Sequence, residues 1–372
     1  MHNLPFDEAL KRSPFYRRGM TSTDVPASIK PEDILKLSSN ENPFGVSPAV
    51  AAAIKEQADI MNLYPPREGD ADLCAALADL HGGGLTVEHV VLGKGGLDIM
   101  DMAIRGFVRP GDNVIMCNPT FGFLRIGAIR VGAEVIDVPL LGDDFCYDVD
   151  GVLAAVNERT RIVYICNPNN PTGNITAAAD MDRLVKNLPD DVLLISDEAY
   201  SHFAAPMELP DTTQYVLAGR PVLKLFSFSK AFGLAGLRLG YAITPPDVAA
   251  YLAGYKTPFH IGRITVAAGL AGVADREYMA DVVRRNRSGR EWLTGQAQEL
   301  GLKVWPSGGN FLLMSAPGMT GAELTAALLQ QGILVSDGGV RFGLPDHIRM
   351  TVGTEKQNQR VVEVLAQIMG RG

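Results

Sequence analysis

The sequence is poor in the residues that build a covalent or metal-bound framework. Four cysteines, Cys74, Cys117, Cys146 and Cys166, are spread over 372 residues without a Cys-x-x-Cys pair. That spacing excludes a disulfide scaffold and a zinc ribbon, and fits reduced thiols in a cytoplasmic protein. The six histidines are equally dispersed, with no His-Glu-x-x-His pair, so no metal site is expected. No apolar run is long enough to span a membrane, and residues 1–11 lack the apolar core of a secretory signal. The sequons at Asn174 and Asn286 are accordingly read as chance matches. Positive charge is not in excess either. With 34 basic and 42 acidic side chains the formal net charge is −8, which argues against nucleic acid as the main partner. Internal repeats and low-complexity segments are missing. So are both glycine-rich nucleotide templates, G-x-G-x-x-G and G-x-x-x-x-G-K-[ST].

What is present suffices for a folded protein with two cores. Apolar residues make up 47% of the chain and charged residues 20%, a balance that excludes general disorder. The length suits one large and one small domain. Residues 1–30 are broken by Pro5, Pro14, Gly19 and Pro26 and read as an irregular arm. Over residues 31–265, short apolar runs alternate with helical stretches. The runs are His89-Val90-Val91-Leu92, Asn113-Val114-Ile115-Met116-Cys117, Arg161-Ile162-Val163-Tyr164-Ile165-Cys166, Asp191-Val192-Leu193-Leu194-Ile195-Ser196, Val222-Leu223-Lys224-Leu225-Phe226 and Leu239-Gly240-Tyr241-Ala242-Ile243. Apolar runs bounded by Gly, Pro, Asn and Asp predict buried strands of a mostly parallel sheet, with helices on both faces. Residues 266–372 predict a smaller α+β domain. It comprises a long charged helix over 275–300, strands near 310–314 and 348–352, a helix over 321–331 and a last helix from Glu355. The arm is a candidate to pack with it.

In open α/β sheets, ligands bind beyond the carboxyl ends of the strands. Polar and glycine-rich clusters follow those ends here: Gly93-Lys94-Gly95-Gly96, Asn118-Pro119-Thr120-Phe121, Asn167-Pro168-Asn169-Asn170-Pro171-Thr172-Gly173, Asp197-Glu198-Ala199-Tyr200 and Ser227-Phe228-Ser229-Lys230. Any one of them is an ordinary turn; five in order along one rim suggest a site. The glycine turn followed by a helix near Leu97 offers free N–H groups and a helix dipole to a phosphate. Lys230 taken alone is either a surface lysine with a buried stem or an amine whose pKa is lowered for attack on an aldehyde. Asp197, at the tip of a buried strand, suits pairing with a pyridine nitrogen. Arg238, Ser227 and Ser229 suit a phosphate.

The run Ser227-Phe228-Ser229-Lys230-Ala231-Phe232-Gly233-Leu234-Ala235-Gly236-Leu237-Arg238-Leu239-Gly240 resembles the lysine motif of fold-type I aminotransferases, which use pyridoxal 5'-phosphate (PLP). In detail it resembles the histidinol-phosphate aminotransferase branch. The resemblance runs through nearly the whole chain. It includes Asn40-Glu41-Asn42-Pro43, Tyr64-Pro65, Pro110-Gly111-Asp112, Asn169-Asn170-Pro171-Thr172-Gly173, Asp197-Glu198-Ala199-Tyr200, Asn310-Phe311-Leu312-Leu313, Gly332-Ile333-Leu334-Val335 and the stretch from Gly343 to Thr354. It implies a large domain with a mostly parallel seven-stranded sheet, a small α+β domain and a homodimer. Lys230 would carry PLP as a Schiff base and shuttle a proton. Asp197 would face the pyridine nitrogen, and Asn170 and Tyr200 the phenolic oxygen. Phe121 would stack on the ring in place of the usual tyrosine. Gly96, Leu97, Ser227, Ser229 and Arg238 would hold the phosphate, joined by Tyr64 from the neighbouring subunit. Arg349 and Asn42 would bind substrate, Arg349 by clamping its carboxylate.

Three departures bear on this. Leu97 stands where the family often has an acidic residue. Ser336 stands where the branch usually has an arginine that helps bind the substrate phosphate; serine carries no charge. The arm has Pro14-Phe15-Tyr16-Arg17-Arg18-Gly19, a loose form of the family's segment, and Tyr16, Arg17 or Arg18 is either a replacement charge or a solvated turn. The expected reaction is transamination between an amino donor and a 2-oxo acid, with glutamate as one partner. Histidinol phosphate is the default donor, and an aromatic or other apolar amino acid is its rival. Decarboxylation of a phosphorylated amino acid is a second reading. A non-catalytic regulator on the same scaffold is a third, disfavoured by the intact Lys230 and the lack of room for a DNA-binding domain.

Overall fold

Runs of β-branched and aliphatic residues between turn formers give strands too short and too apolar to be half-solvated, so they pair side by side under helices. The computed structural model describes residues 8–14, 20–205 and 207–370. Tyr16, Arg17 and Arg18, weighed above as a replacement charge or a solvated turn, lie outside these residues. The strands in chain order are β1 (Leu35–Lys36), β2 (Val90–Gly93), β3 (Asn113–Asn118), β4 (Glu134–Pro139), β5 (Thr160–Cys166), β6 (Leu193–Asp197), β7 (Val222–Ser227), β8 (Gly240–Ile243), β9 (Lys303–Val304), β10 (Phe311–Ser315), β11 (Ile333–Leu334), β12 (Ser336–Asp337) and β13 (Ile348–Thr351).

Seven of them form one sheet in the order β2-β8-β7-β6-β5-β3-β4. Only β8 runs against its neighbours, Gly240 lying opposite both Gly93 and Ser227. The sheet is therefore mostly parallel and seven-stranded, as expected. Its two faces are closed by separate apolar clusters, one around Leu92, Ile115, Val163 and Leu194, the other around Ile99, Val114, Ile162 and Ile195. Edge strand β4 was not anticipated. With Glu134, Asp137 and Pro139 exposed, it lacks the continuous apolar signature of a central strand.

A second antiparallel sheet, β12-β13-β10-β9, and the helices Arg276–Glu299, Gly321–Gln330 and Glu355–Ile368 enclose a smaller core around Leu312, Met350 and Val361. Two details differ from expectation. The arm is not wholly irregular, since Glu8–Arg12 forms a helical turn. Strand β1, assigned by sequence to the large unit, pairs in parallel with β11, Leu35 opposite Ile333. Leu37 is buried in the small core. The chain thus threads the small layer before entering the large one, and residues 38–40 pass between the two.

Register brings the functional rim together. Cys166 lies opposite Asp197, and Asp197 opposite Leu225, so β5 and β6 end level with one another and β7 runs two residues further, to Ser227. The turn after β2 crosses the antiparallel β8 so closely that a Cβ on Gly240 would stand 2.6 Å from backbone atoms of Gly95 and Gly96. A Gly240→Ala substitution must move that turn. It is expected to cost about 1–3 kcal/mol, read as a lower urea midpoint; an unchanged midpoint would mean that the turn shifts freely.

Candidate active site

A cavity of about 670 Å³ opens at this rim, between the two sheets. Lys230, Asp197, Tyr200, Asn170, Gly96, Leu97, Phe121, Ser227, Ser229, Arg238 and Arg349 all line it. Local sequence accounts for each position. Asp197 is the last residue of β6 and is 5% exposed. Tyr200 follows on the turn, Lys230 stands three residues beyond β7, and Gly96 opens the helix Gly96–Phe107. Arg349 is on β13 and reaches in from the smaller sheet.

The lysine Nζ donates to the carbonyls of Ser39 and Asn40, both at 3.2 Å, and lies 5.5 Å above the Tyr200 ring. Burial pushes its pKa down to about 7; positive Arg349 and Arg238 add to this, while Glu41 and Asp197 oppose it. A substantial fraction of Lys230 is then a free amine at neutral pH. Burial pushes the Asp197 carboxyl up to about 6, although the Tyr164 hydroxyl and the Ala199 N–H stabilise its ionised form. Tyr164 donates to Asp197 Oδ2 at 2.7 Å and Ala199 N to Oδ1 at 3.1 Å. A cation set against this carboxylate would further favour its ionised form.

The Tyr200 hydroxyl accepts from Asn40 Nδ2 at 3.0 Å and Asn170 Nδ2 at 3.2 Å. With two acceptor positions taken, its own proton remains to be donated. Burial raises the Tyr200 pKa, so that proton is retained. Asn170 Oδ1 accepts from Arg349 Nη1 at 2.6 Å, while Arg349 Nη2 donates to the Ser38 carbonyl at 2.6 Å and to Ser336 Oγ at 3.1 Å.

At the other end of the cavity, Arg238 Nη1 donates to Ser229 Oγ at 3.1 Å and the Ala235 carbonyl at 3.0 Å. A Cβ on Gly95 (φ +81°) would come within 2.4 Å of Arg238 Nη2. The glycine turn therefore lets a guanidinium settle over the first N–H groups of a twelve-residue helix. Cation, serine hydroxyls and helix N-terminus together make a phosphate cradle. A phosphate site, an aromatic face at Phe121, a hydroxyl donor, a buried acid wanting a cation and a free amine match the phosphate, ring, phenolic oxygen, pyridine nitrogen and aldehyde of PLP. The residues present fit that group.

Two expected residues lie elsewhere. Asn42 is turned from the cavity, its Nδ2 donating to the Ala231 carbonyl at 3.0 Å and its Oδ1 accepting from Phe44 N at 2.9 Å. Asn40 lines the cavity instead. Tyr64 is 73% exposed and stacks on Phe259 with centroids 4.1 Å apart, outside the cavity of its own chain. Sequence reading missed Asn40, Tyr164 and Arg341. Tyr164 could have been found from the period of β5, which puts it on one face with Ile162 and Cys166. Among the described residues there is no group of His, Cys, Asp or Glu able to hold a metal ion, and no helix long and apolar enough to cross a membrane.

Residues 32–365 match the family Aminotransferase class I and II. The chain is 36% identical over 362 residues to a histidinol-phosphate aminotransferase of Brevibacillus brevis, covering 97% of this chain and 98% of that protein. It is 37% identical over 344 residues to histidinol-phosphate aminotransferase 2 of Pseudomonas fluorescens, covering 92% of this chain and 91% of the other. The fold matches the crystal structure of histidinol-phosphate aminotransferase from Sinorhizobium meliloti in complex with pyridoxal-5'-phosphate. That match has a TM-score of 0.86 and 26% identity over 98% of each chain.

The lowered Lys230 pKa has a direct consequence. An amine titrating near 7 is mostly protonated at pH 6 and mostly free at pH 8. In apoprotein, acetic anhydride labelling of Lys230, followed by peptide mass spectrometry, is expected to run about tenfold faster at pH 8 than at pH 6. The midpoint would lie near 7, against about 10 for exposed lysines. A midpoint near 10 at Lys230 would remove the basis for its role as a base.

Proposed function

Because this chain belongs to the class I and II aminotransferases and is a PLP-dependent transaminase, we propose that it exchanges an amino group between an amino donor and a 2-oxo acid. Glutamate and 2-oxoglutarate form one exchanging pair. The other donor is histidinol phosphate or a related amino compound. The observation that carries this reading is the convergence of Lys230, Asp197, Tyr200, Arg238 and Arg349 on one cavity.

PLP, when bound, supplies a carbonyl that links to amines and a conjugated ring that takes up the electron pair left when the substrate Cα–H ionises. Gly96, Leu97, Ser227, Ser229 and Arg238 would hold its phosphate, and Phe121 would pack on its ring. Asp197, buried and fixed by Tyr164 and Ala199, would stay ionised against a positive nitrogen. Tyr200, with Asn170 and Asn40 behind it, would donate a hydrogen bond to the phenolic oxygen. Arg349 grips the substrate carboxylate with a planar fork already oriented by Asn170 and Ser38. The Lys230 amine takes the proton from the substrate Cα and carries it, since its lowered pKa leaves it free to accept one near pH 7. The two half-reactions share this site, so the kinetics are ping-pong.

The working form is a cytoplasmic homodimer. In favour of a dimer, Met61 and Leu63 (54% exposed), Tyr64 (73%) and Phe259 (57%) put apolar side chains into solvent, which a partner would cover. Tyr64 would then reach the partner's phosphate site. The four unpaired thiols suit a reducing compartment. The same reading divides the chain into an arm over 1–30, a cofactor-holding unit over 31–265 and a smaller unit over 266–372. Strand β1 crosses to the smaller unit.

Lys230→Ala is expected to lower kcat by about 10²- to 10⁴-fold while the fold, read by circular dichroism, is kept. Turnover of a donor panel should require a 2-oxo acid; carbon dioxide release without one would favour the decarboxylase reading instead. Sedimentation is expected to give a dimer, and a fully active monomer would remove Tyr64 from the site.

A further inference from the structure

We propose that His260, acting through Asp98, is a positioning residue that holds the glycine turn of the phosphate cradle in shape. The grip on the phosphate of PLP then depends on a side chain that lies outside the cavity. The inference rests on the reading of that turn as the phosphate site and names what fixes it.

Gly96 and Leu97, the first two residues of the helix Gly96–Phe107, line the cavity; Asp98 and His260 do not. The pair sits behind the turn. Asp98 is the third residue of the helix, yet its Oδ2 reaches back to accept from Lys94 N at 2.8 Å. The same oxygen meets His260 Nε2 at 2.6 Å. A carboxylate oxygen only accepts, so Nε2 is the donor. Thr257 Oγ1 stands 3.3 Å from His260 Nδ1 and holds the ring at its other nitrogen. There is little room for another arrangement. A Cβ on Gly93 would come within 3.2 Å of Asp98 Oδ2 and 2.6 Å of Ile99 Cγ1.

The chain takes a constrained route to bring His260 there. It lies between the helices Pro246–Ala253 and Arg263–Ala274. Phe259 before it adopts φ +56°, which a bulky residue keeps only where its surroundings demand it. Phe259 is thereby turned outward onto Tyr64, while His260 is buried against Asp98.

The helix dipole favours a carboxylate in the first turn. A phosphate seeks the same positive end, and like charges repel. Both can be held only if the carboxylate is turned from the anion and its charge is spent on other donors. Lys94 N and His260 Nε2 do this from the rear of the turn. Without His260, Asp98 keeps one donor, is free to rotate, and no longer fixes the aim of the N–H groups of Gly96 and Leu97.

The test is calorimetric titration of apoprotein with PLP and with pyridoxal, which has the same ring and aldehyde but no phosphate. Wild type should prefer PLP. In His260→Leu the ratio of the two affinities is expected to fall about 10- to 100-fold, the weight of a hydrogen bond to a charged group, with pyridoxal affinity retained. His260→Gln, which keeps a donor near the Nε2 position, should keep most of the ratio. Asp98→Ala should match His260→Leu, and carries the same test if that variant does not fold. The double variant should be no worse than the worse single one, because the two residues act as a unit. An unchanged ratio in His260→Leu and Asp98→Ala, or PLP and pyridoxal weakening in parallel, would overturn the proposal. Arg238→Gln touches the cradle directly and tests the reading beneath it. If that variant keeps the wild-type ratio, the phosphate lies elsewhere and both fall. If it loses the ratio while the His260 and Asp98 variants keep it, the positioning role alone falls.

Discussion

The two layers of the molecule meet at a buried guanidinium. Arg349 is 3% exposed, on a strand of the smaller sheet, yet its Nη1 is fixed by Asn170 from the rim of the larger sheet and its Nη2 by the Ser38 carbonyl. These partners are 179 and 311 residues away in the chain. A desolvated cation costs roughly several kcal/mol unless hydrogen bonds offset the loss of water. The fold supplies them from three separate segments, so the cation holds those segments in mutual register. The same charge reaches Lys230 and, after burial, is the largest influence lowering its pKa. The substrate grip proposed for Arg349 and the lowered pKa of Lys230 therefore share one physical origin.

Residues 38–40 follow from that constraint. The carbonyls of Ser38, Ser39 and Asn40 face Arg349 and Lys230, which requires three successive peptides to turn toward two cations. Asn40 adopts φ +53°, a left-handed conformation that asparagine tolerates better than most residues. Its N–H is taken by Thr351 Oγ1 at 2.9 Å and its side chain supports Tyr200. Only a segment already committed to the smaller layer through β1 could be held so rigidly beside the large-layer lysine. The crossing of β1 is thus part of how the site is built.

The legible parts of the site were those in which a functional residue sits within a few positions of a strand end. Asp197 ends β6, Lys230 follows β7, and the glycine turn follows β2, so period and turn chemistry located them. The parts that were not legible depend on contacts between distant segments. Nothing in Asn40-Glu41-Asn42-Pro43 tells which asparagine faces inward. The positive φ at Asn40 decides, and it answers to Thr351 and Tyr200 rather than to neighbours. Strand β1 is two residues long and gains its identity only from pairing with β11. Ser336 was read as a missing charge because sequence compares position with position. In space Arg341 Nη1 donates to Ser336 Oγ at 3.3 Å, from the short helix Gly338–Phe342, whose cap and terminating glycine have no bearing on chemistry until folded. Edge strand β4 escaped for a simpler reason: one face is solvated and its pattern is half polar.

Charge over the whole chain and charge inside the cavity point in opposite directions, and the difference is informative. The chain is acidic by eight, yet Lys230, Arg238, Arg341 and Arg349 line one cavity whose acidic members are Asp197 and Glu41, the latter bonded to Lys36 at 2.7 Å. Concentrating cations around one cavity works against folding stability, and local conflicts of this kind are expected where function, not packing, selects the residue. The conflict is resolved by what enters. On the proposed function, a phosphate would settle on Arg238 and the helix Gly96–Phe107, a carboxylate on Arg349, and a protonated ring nitrogen on Asp197. Each such charge is opposite to the group that would receive it, and none of them meets Lys230. Its pKa is set first by burial, so it stays near the value a proton carrier needs at neutral pH. The field that binds the anions thus also helps keep the amine free to take the proton.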